Sequence, residues 1–172
     1  MGLLDILSRI NWVDVLILTI LFRICYVGFN RGLANEAVPL IGIYAALVIS
    51  LHFYAPIGNF ISGFTSINKN HAYVLCFVSL AAFTNYVFSI IEAYIVSKVM
   101  QIHVASLLDR IGGLFFGILR GILLASVVIT ALELIPIKYL DDSIYKRSLL
   151  GTRFLNIAKG AHNKTFSFLG VR

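Results

Sequence analysis

Arg23, Glu36, Glu92 and Arg120 are ionisable, yet each lies in or at the edge of a run apolar enough for lipid. A charge at the centre of a membrane helix costs about 2.5 to 3.5 kcal/mol even on insertion scales, so such residues pair, line hydrated paths or reach for headgroups. The chemistry open to them is charge compensation: holding an ion, a proton or a charged group away from bulk water. Arg120 poses the problem most sharply, in "GLFFGILRGILL" between Gly117 and Gly121. Ten residues separate it from Arg110, which at the helical rise is about 15 Å, half the hydrocarbon thickness. If the span begins nearer Phe115, the depth is about 8 Å and the long stem can snorkel to the headgroups. The sequence leaves snorkelling and buried pairing both open.

Other chemistry is not indicated. His52, His71, His103 and His162 are scattered without metal-ligand spacing, and no nucleophile elbow, phosphate loop or paired-aspartate motif occurs. We therefore expect no enzyme activity, no cofactor and no metal. Cys25 and Cys76 both fall in apolar segments, where a cysteine is expected to pack as a small hydrophobe.

The elements that must hold these charges follow from composition. Of 172 residues 59% are hydrophobic and only 13% charged, about half the usual charged share of a globular protein. No Asp, Glu, Lys or Arg occurs between Glu36 and Lys69 or between Lys69 and Glu92, and each gap can hold a span of about 20 residues. The predicted fold class is all-α, a polytopic membrane protein with four transmembrane helices near Asn11–Phe29, Ala34–Tyr54, Ala72–Ser97 and Leu107–Ile135. The breaks are "FNRG", then "YAPIGN" with Pro56 and Gly58, then "KVMQIH", then Pro136. Three regions result: a segment over residues 1–10 with an apolar stripe suited to the interface, a four-helix membrane domain over 11–135, and a basic tail over 136–172 that hugs the surface or stays partly disordered.

The net charge of +6 would suggest nucleic acid in a soluble protein. Here half the basic residues, including Lys138, Lys146, Arg147 and Arg153, follow the last apolar segment, which points to topology and anionic lipid, not to nucleic acid. Four spans put both termini on one side. Lys and Arg near span ends favour that side, with Arg9 and Lys69, over the side bearing Arg31, Lys98 and Arg110, so both termini are expected in the cytoplasm. The expected partners are the bilayer and either a second copy of the chain or an export-system component.

The loops that flank Arg31 and Arg110 face one side, so Arg31, Glu36, Glu92, Asp109 and Arg110 gather there. Arg23 lies eight residues below Arg31, about 12 Å, at a depth similar to Arg120. These positions predict a polar cleft with Arg120 and Arg23 at its floor and Glu36 or Glu92 as counter-charge. Asp14 and Glu133 fall at the opposite interface, where helix capping is the plain expectation. Gly113, Gly117, Gly121 and Ala125 form a four-residue row that lets another backbone approach. Weaker rows run at Gly42, Ala46 and Ser50 and at Ala81, Asn85, Ser89, Ala93 and Ser97. Bundle packing and a dimer interface both fit such rows.

"DVLILTILFRICYVGFNRGLANE", with Asp14, Gly28, Arg31, Gly32 and Glu36, followed by "DRIGGLFFGILRG", with Asp109, Arg110, Gly113, Gly117, Arg120 and Gly121, resembles the colicin V production protein (CvpA) family. The resemblance spans roughly Asn11 to Ile135; Arg23 lies outside its pattern. It implies a small bacterial inner-membrane protein with four helices, linked to toxin production or export and to envelope integrity. Family members fused to a protease domain outside the cytoplasmic membrane imply the opposite orientation to the charge count. A small solute transporter or channel around Arg120, and a scaffold that recruits a partner through its basic tail, are the alternative functions.

Overall fold

The computed structural model describes residues 11–65, 68–99 and 107–168. Four long helices follow one another: α1 (Trp12–Arg31), α2 (Leu33–Phe64), α3 (Lys69–Val99) and α4 (Leu107–Glu133). A short helix α5 (Lys138–Asp142), a π-helical turn (Ser143–Arg147) and helix α6 (Gly151–Phe168) complete the chain. The expected interfacial segment over residues 1–10 lies outside the described residues, as does His103.

Helix α1 starts at a reciprocal cap. The Asn11 side chain accepts from Trp12 N at 2.7 Å, while Asn11 N donates back to Asp14 Oδ2 at 3.0 Å, so two amides that a helix start leaves open are satisfied. Helices α1 to α4 are each long and apolar enough to cross a membrane, and Phe22, Phe83, Tyr86 and Phe115 stand exposed on the outer surface. An apolar shell of this kind suits lipid, and helices suit it because they satisfy most of their backbone groups internally.

Packing is unequal. Helix α1 lies along α4, α2 along α3, and α2 also packs on α4, whereas α3 and α4 scarcely touch. Two cores result. One, built on Val13, Ile17, Ala125 and Ile129, is closed from below by Ile144, Phe154 and Leu155; the other joins Ile43, Leu47, Phe77, Val127 and Ala158.

One expectation is corrected and another narrowed. Helix α2 does not end at "YAPIGN" but runs through Pro56 to Phe64. The proline removes one rung of the ladder, and the flanking turns are held by α3: Tyr54 meets Tyr73 edge-on, and Tyr73 Oη donates to Asn59 at 2.7 Å. The tail, expected either to hug the surface or to stay partly disordered, is mostly helical over its described part. Helix α6 is amphipathic and buries Gly151, Phe154, Leu155 and Ala158 against the bundle while Arg153, Asn156 and Lys164 stay exposed. Apolar residues three or four apart present one stripe, and the base of the bundle supplies the surface that covers it.

Candidate functional site

The glycines set the frame. Gly28 of α1 faces Gly113 and Gly117 of α4 so closely that a Cβ on Gly28 would stand 2.5 Å from Gly113 O and 2.9 Å from Gly117 Cα. A Cβ on Gly117 would meet Gly28 Cα at 3.2 Å. Gly121 is looser, with the Leu21 side chain 3.1 Å from such a Cβ. The row is thus spent on the α1–α4 crossing inside one chain, where absent side chains let two backbones meet. The second-helix row does similar work: a Cβ on Gly42 would press on Phe88 Cβ at 2.7 Å.

Gly32 turns the chain from α1 into α2. Its φ of 82° is left-handed, a region glycine enters without the Cβ penalty. A side chain there would also collide with the Asp109 carboxylate. Asp109 Oδ1 accepts from Leu33 N at 2.9 Å, so an aspartate of α4 caps the start of α2, where the helix dipole favours negative charge. This turn delivers Glu36, one turn later, to the bundle interior.

Glu36 is fully buried and its Oε2 lies 2.8 Å from Arg120 Nη1, the arginine side chain being 12% exposed. The pair is coulombic more than hydrogen-bonded: among the described residues neither Glu36 oxygen, nor Arg120 Nε, has a hydrogen bond of good geometry. Glu92 is held elsewhere, by Arg31 Nη1 at 3.1 Å near the surface. The open choice of counter-charge is resolved: Arg120 pairs with Glu36, and Glu92 with Arg31.

Beside the pair lies a half-open cavity of about 210 Å³, its wall polar at Arg120, Glu92, Asn85 and Ser89 and apolar at Pro39, Ile43, Phe88 and Leu124. That is room for several waters, each occupying about 30 Å³ in the liquid. Three of the expected cleft residues therefore converge, Arg120 and Glu92 on the wall and Glu36 behind Arg120, with Arg31 at the rim.

Others do not. Arg23 is exposed on the outer face of α1 and is not at the floor, because the Gly28 side of that helix, not Arg23's, turns toward α4. Arg110 is exposed too, its guanidinium 6.0 Å from the Phe29 ring. Asp14 sits at the far end of the molecule, 2% exposed. Besides capping α1 it accepts from Ser148 Oγ at 2.6 Å, Leu150 N at 3.0 Å and Leu149 N at 3.3 Å, while Asn11 Nδ2 donates to Ser143 O at 3.0 Å. A carboxylate in this position ties the first helix to the tail. Glu133 at the same end holds Lys159 at 2.9 Å and also accepts from the Tyr145 hydroxyl.

Sequence reasoning placed Asn85 and Ser89 only in a packing row; their polarity on an apolar helix was the signal for a cavity wall. Nothing in sequence marked residues 148–150 as partners of Asp14. Cys25 and Cys76 are free thiols, and His52 stacks on Phe166 and on His162; no group of three or more potential metal ligands gathers among the described residues.

Four apolar spans, glycine-mediated crossings and a buried ion pair beside a half-open cavity define a multi-pass helical membrane protein. The chain belongs to the colicin V production protein family, whose model matches residues 13–159, so the matched region extends past the fourth span into α6. It is similar to the "Colicin V production protein" of Escherichia coli (strain K12), with 22% identity over 122 residues, 71% of this chain and 74% of that protein. No solved structure matches this one.

Proposed function

We propose that this chain is a non-enzymatic protein of the bacterial inner membrane that supports production or export of a peptide toxin of the colicin V kind, and with it envelope homeostasis. The family match and the name of the relative support the toxin-related role. The observation that gives it a working part is the Arg120–Glu36 pair beside a half-open cavity of mixed polar and apolar lining, since intramembrane charges mark sites of function. The test is toxin secretion from a strain lacking the chromosomal gene and carrying a colicin V plasmid. The wild-type chain restores secretion, and Arg120→Ala at equal abundance lowers it at least tenfold. Undiminished secretion by that variant would sink the reading.

The open cavity also favours a second reading, a small solute transporter or channel. Solute flux into liposomes that is abolished by Arg120→Ala but kept when residues 148–172 are deleted would select it. Both readings place the termini in the cytoplasm. A C-terminal reporter pair reads this out: a fusion fluorescent only in the cytoplasm should be active and a periplasmic phosphatase fusion silent, the reverse pattern inverting the orientation.

A further inference from the structure

The cavity beside Arg120 shares part of its wall with a second space. A groove of about 360 Å³ runs between α3 and α4, lined almost wholly by apolar side chains such as Val74, Phe77, Val78, Val128 and Ile135. It shares Ile43, Asn85 and Leu124 with the first cavity, so a chamber with polar groups at one end and an apolar channel adjoin as one amphipathic slot where α3 and α4 scarcely touch.

Resting on the reading of the cleft as the working site, the geometry points to a binding site for a zwitterionic glycerophospholipid, its amino-phosphate head between Glu92 and Arg120 and an acyl chain in the α3–α4 groove. Charge selects the head. Glu36 and Glu92 balance Arg120 and Arg31, so a net-charged head would bring an uncompensated charge into a low-dielectric chamber, whereas a head carrying one ammonium and one phosphate adds none. Each end finds a partner. The Arg120 guanidinium has five N–H donors, of which Nη1 faces Glu36 and Nε is unpartnered. Among the described residues Glu92 meets Arg31 through Oε1, and a carboxylate has a second oxygen that can accept from an ammonium. Asn85 and Ser89 add an amide and a hydroxyl on the same wall.

Shape selects the tail. From Val74 to Asn85 the groove runs eleven residues, about 16 Å, a length and an apolar lining that suit an extended hydrocarbon chain.

The experiment uses the full chain in vesicles and photoactivatable phospholipids with identical acyl chains and either a phosphatidylethanolamine or a phosphatidylglycerol head. The ethanolamine probe should crosslink to α3 and α4 around Asn85 and Val128, with at least fivefold preference over the glycerol probe and displacement by unlabelled ethanolamine lipid. Glu92→Gln keeps shape and the contact with Arg31 while removing the anion, and should lower that preference at least threefold toward the glycerol probe. Equal labelling by both probes, unchanged preference in Glu92→Gln, or crosslinks between two copies across the groove would overturn the proposal. Lost secretion in Arg120→Ala without headgroup preference refutes the lipid site alone; preserved headgroup preference with secretion unaffected by Arg120→Ala refutes the export reading alone.

Discussion

Arg120 and Glu36 carry opposite charges into an apolar interior, and each makes the other tolerable. Removing one partner of a buried pair leaves an uncompensated charge, which costs about 3 to 5 kcal/mol, whereas replacing both by apolar groups of similar volume is often neutral. Arg120→Met and Glu36→Leu should therefore each lower the thermal midpoint in detergent markedly, and the double variant should recover most of the loss. If the double variant is as unstable as the sum of the singles, the pair is not coupled. Function separates from stability here, because the stable double variant still lacks the charged cavity floor and should not restore toxin secretion. At the same scale, Glu92 and Arg31 are 23% and 48% exposed, and an exposed pair of this kind is worth about 0 to 1 kcal/mol. Glu92 is thus free to be tested as a recognition residue without loss of fold.

Among elements, the α1–α4 crossing depends on what is missing from Gly28, Gly113 and Gly117. A Cβ on Gly113 would lie against Gly28 O and 2.8 Å from Gly32 Cα, atoms of backbone that cannot swing aside. Gly113→Ala should cost about 1 to 3 kcal/mol, the usual penalty for overpacking, and should also disturb the nearby Asp109 cap. Gly160 in α6 has no atom within 4 Å of a built Cβ. Gly160→Ala should be neutral or stabilising by about 0.5 to 1 kcal/mol, the gain from replacing glycine inside a helix. Comparing the two thermal midpoints tests whether close approach, and not glycine as such, is what the crossing needs. Equal effects at both positions would refute it.

The whole molecule is closed at one end by its own tail. Residues 148–150 are gripped by Asp14, α6 covers the core beneath α1 and α4, and Lys159 reaches Glu133. The Glu133 hydrogen bond raises the Lys159 ammonium above its ordinary 10.5. Its contribution to docking is therefore complete below pH 10.5 and is lost as pH rises through the higher folded value. A fluorophore on Ser167→Cys in a Cys25→Ala, Cys76→Ala background should report a modest loosening of α6 only above that range, because Lys159 is half exposed while Phe154, Leu155 and the Asp14 contacts still hold the tail. Lys159→Met should remove this pH dependence, and release near neutrality in the wild-type pattern would contradict it. Asp14→Asn should loosen the same tail by halving its acceptors, seen as faster trypsin cleavage at Arg147 and Arg153.

The chain by itself determined the class of fold, since uncharged gaps between Glu36, Lys69 and Glu92 can only be membrane spans when so little charge is available to keep them in water. It also marked Arg120 as a residue that must either find a partner or snorkel, because isolated charge in hydrocarbon is costly, and the glycine row as one that admits a close neighbour. Only the tertiary structure chose among the partners. Glu36 and Glu92 lie 56 residues apart in sequence, yet which one meets Arg120 depends on the turn at Gly32 and the Asp109 cap, and spacing along one helix carries no information about either. The same holds for Arg23, whose depth was legible but whose face was not: rotation of α1 about its axis is set by the contact of Gly28 with α4. The tail was least legible, since a short amphipathic helix of weak overall hydropathy is stable only against a surface, and that surface exists only once α1, α2 and α4 have assembled.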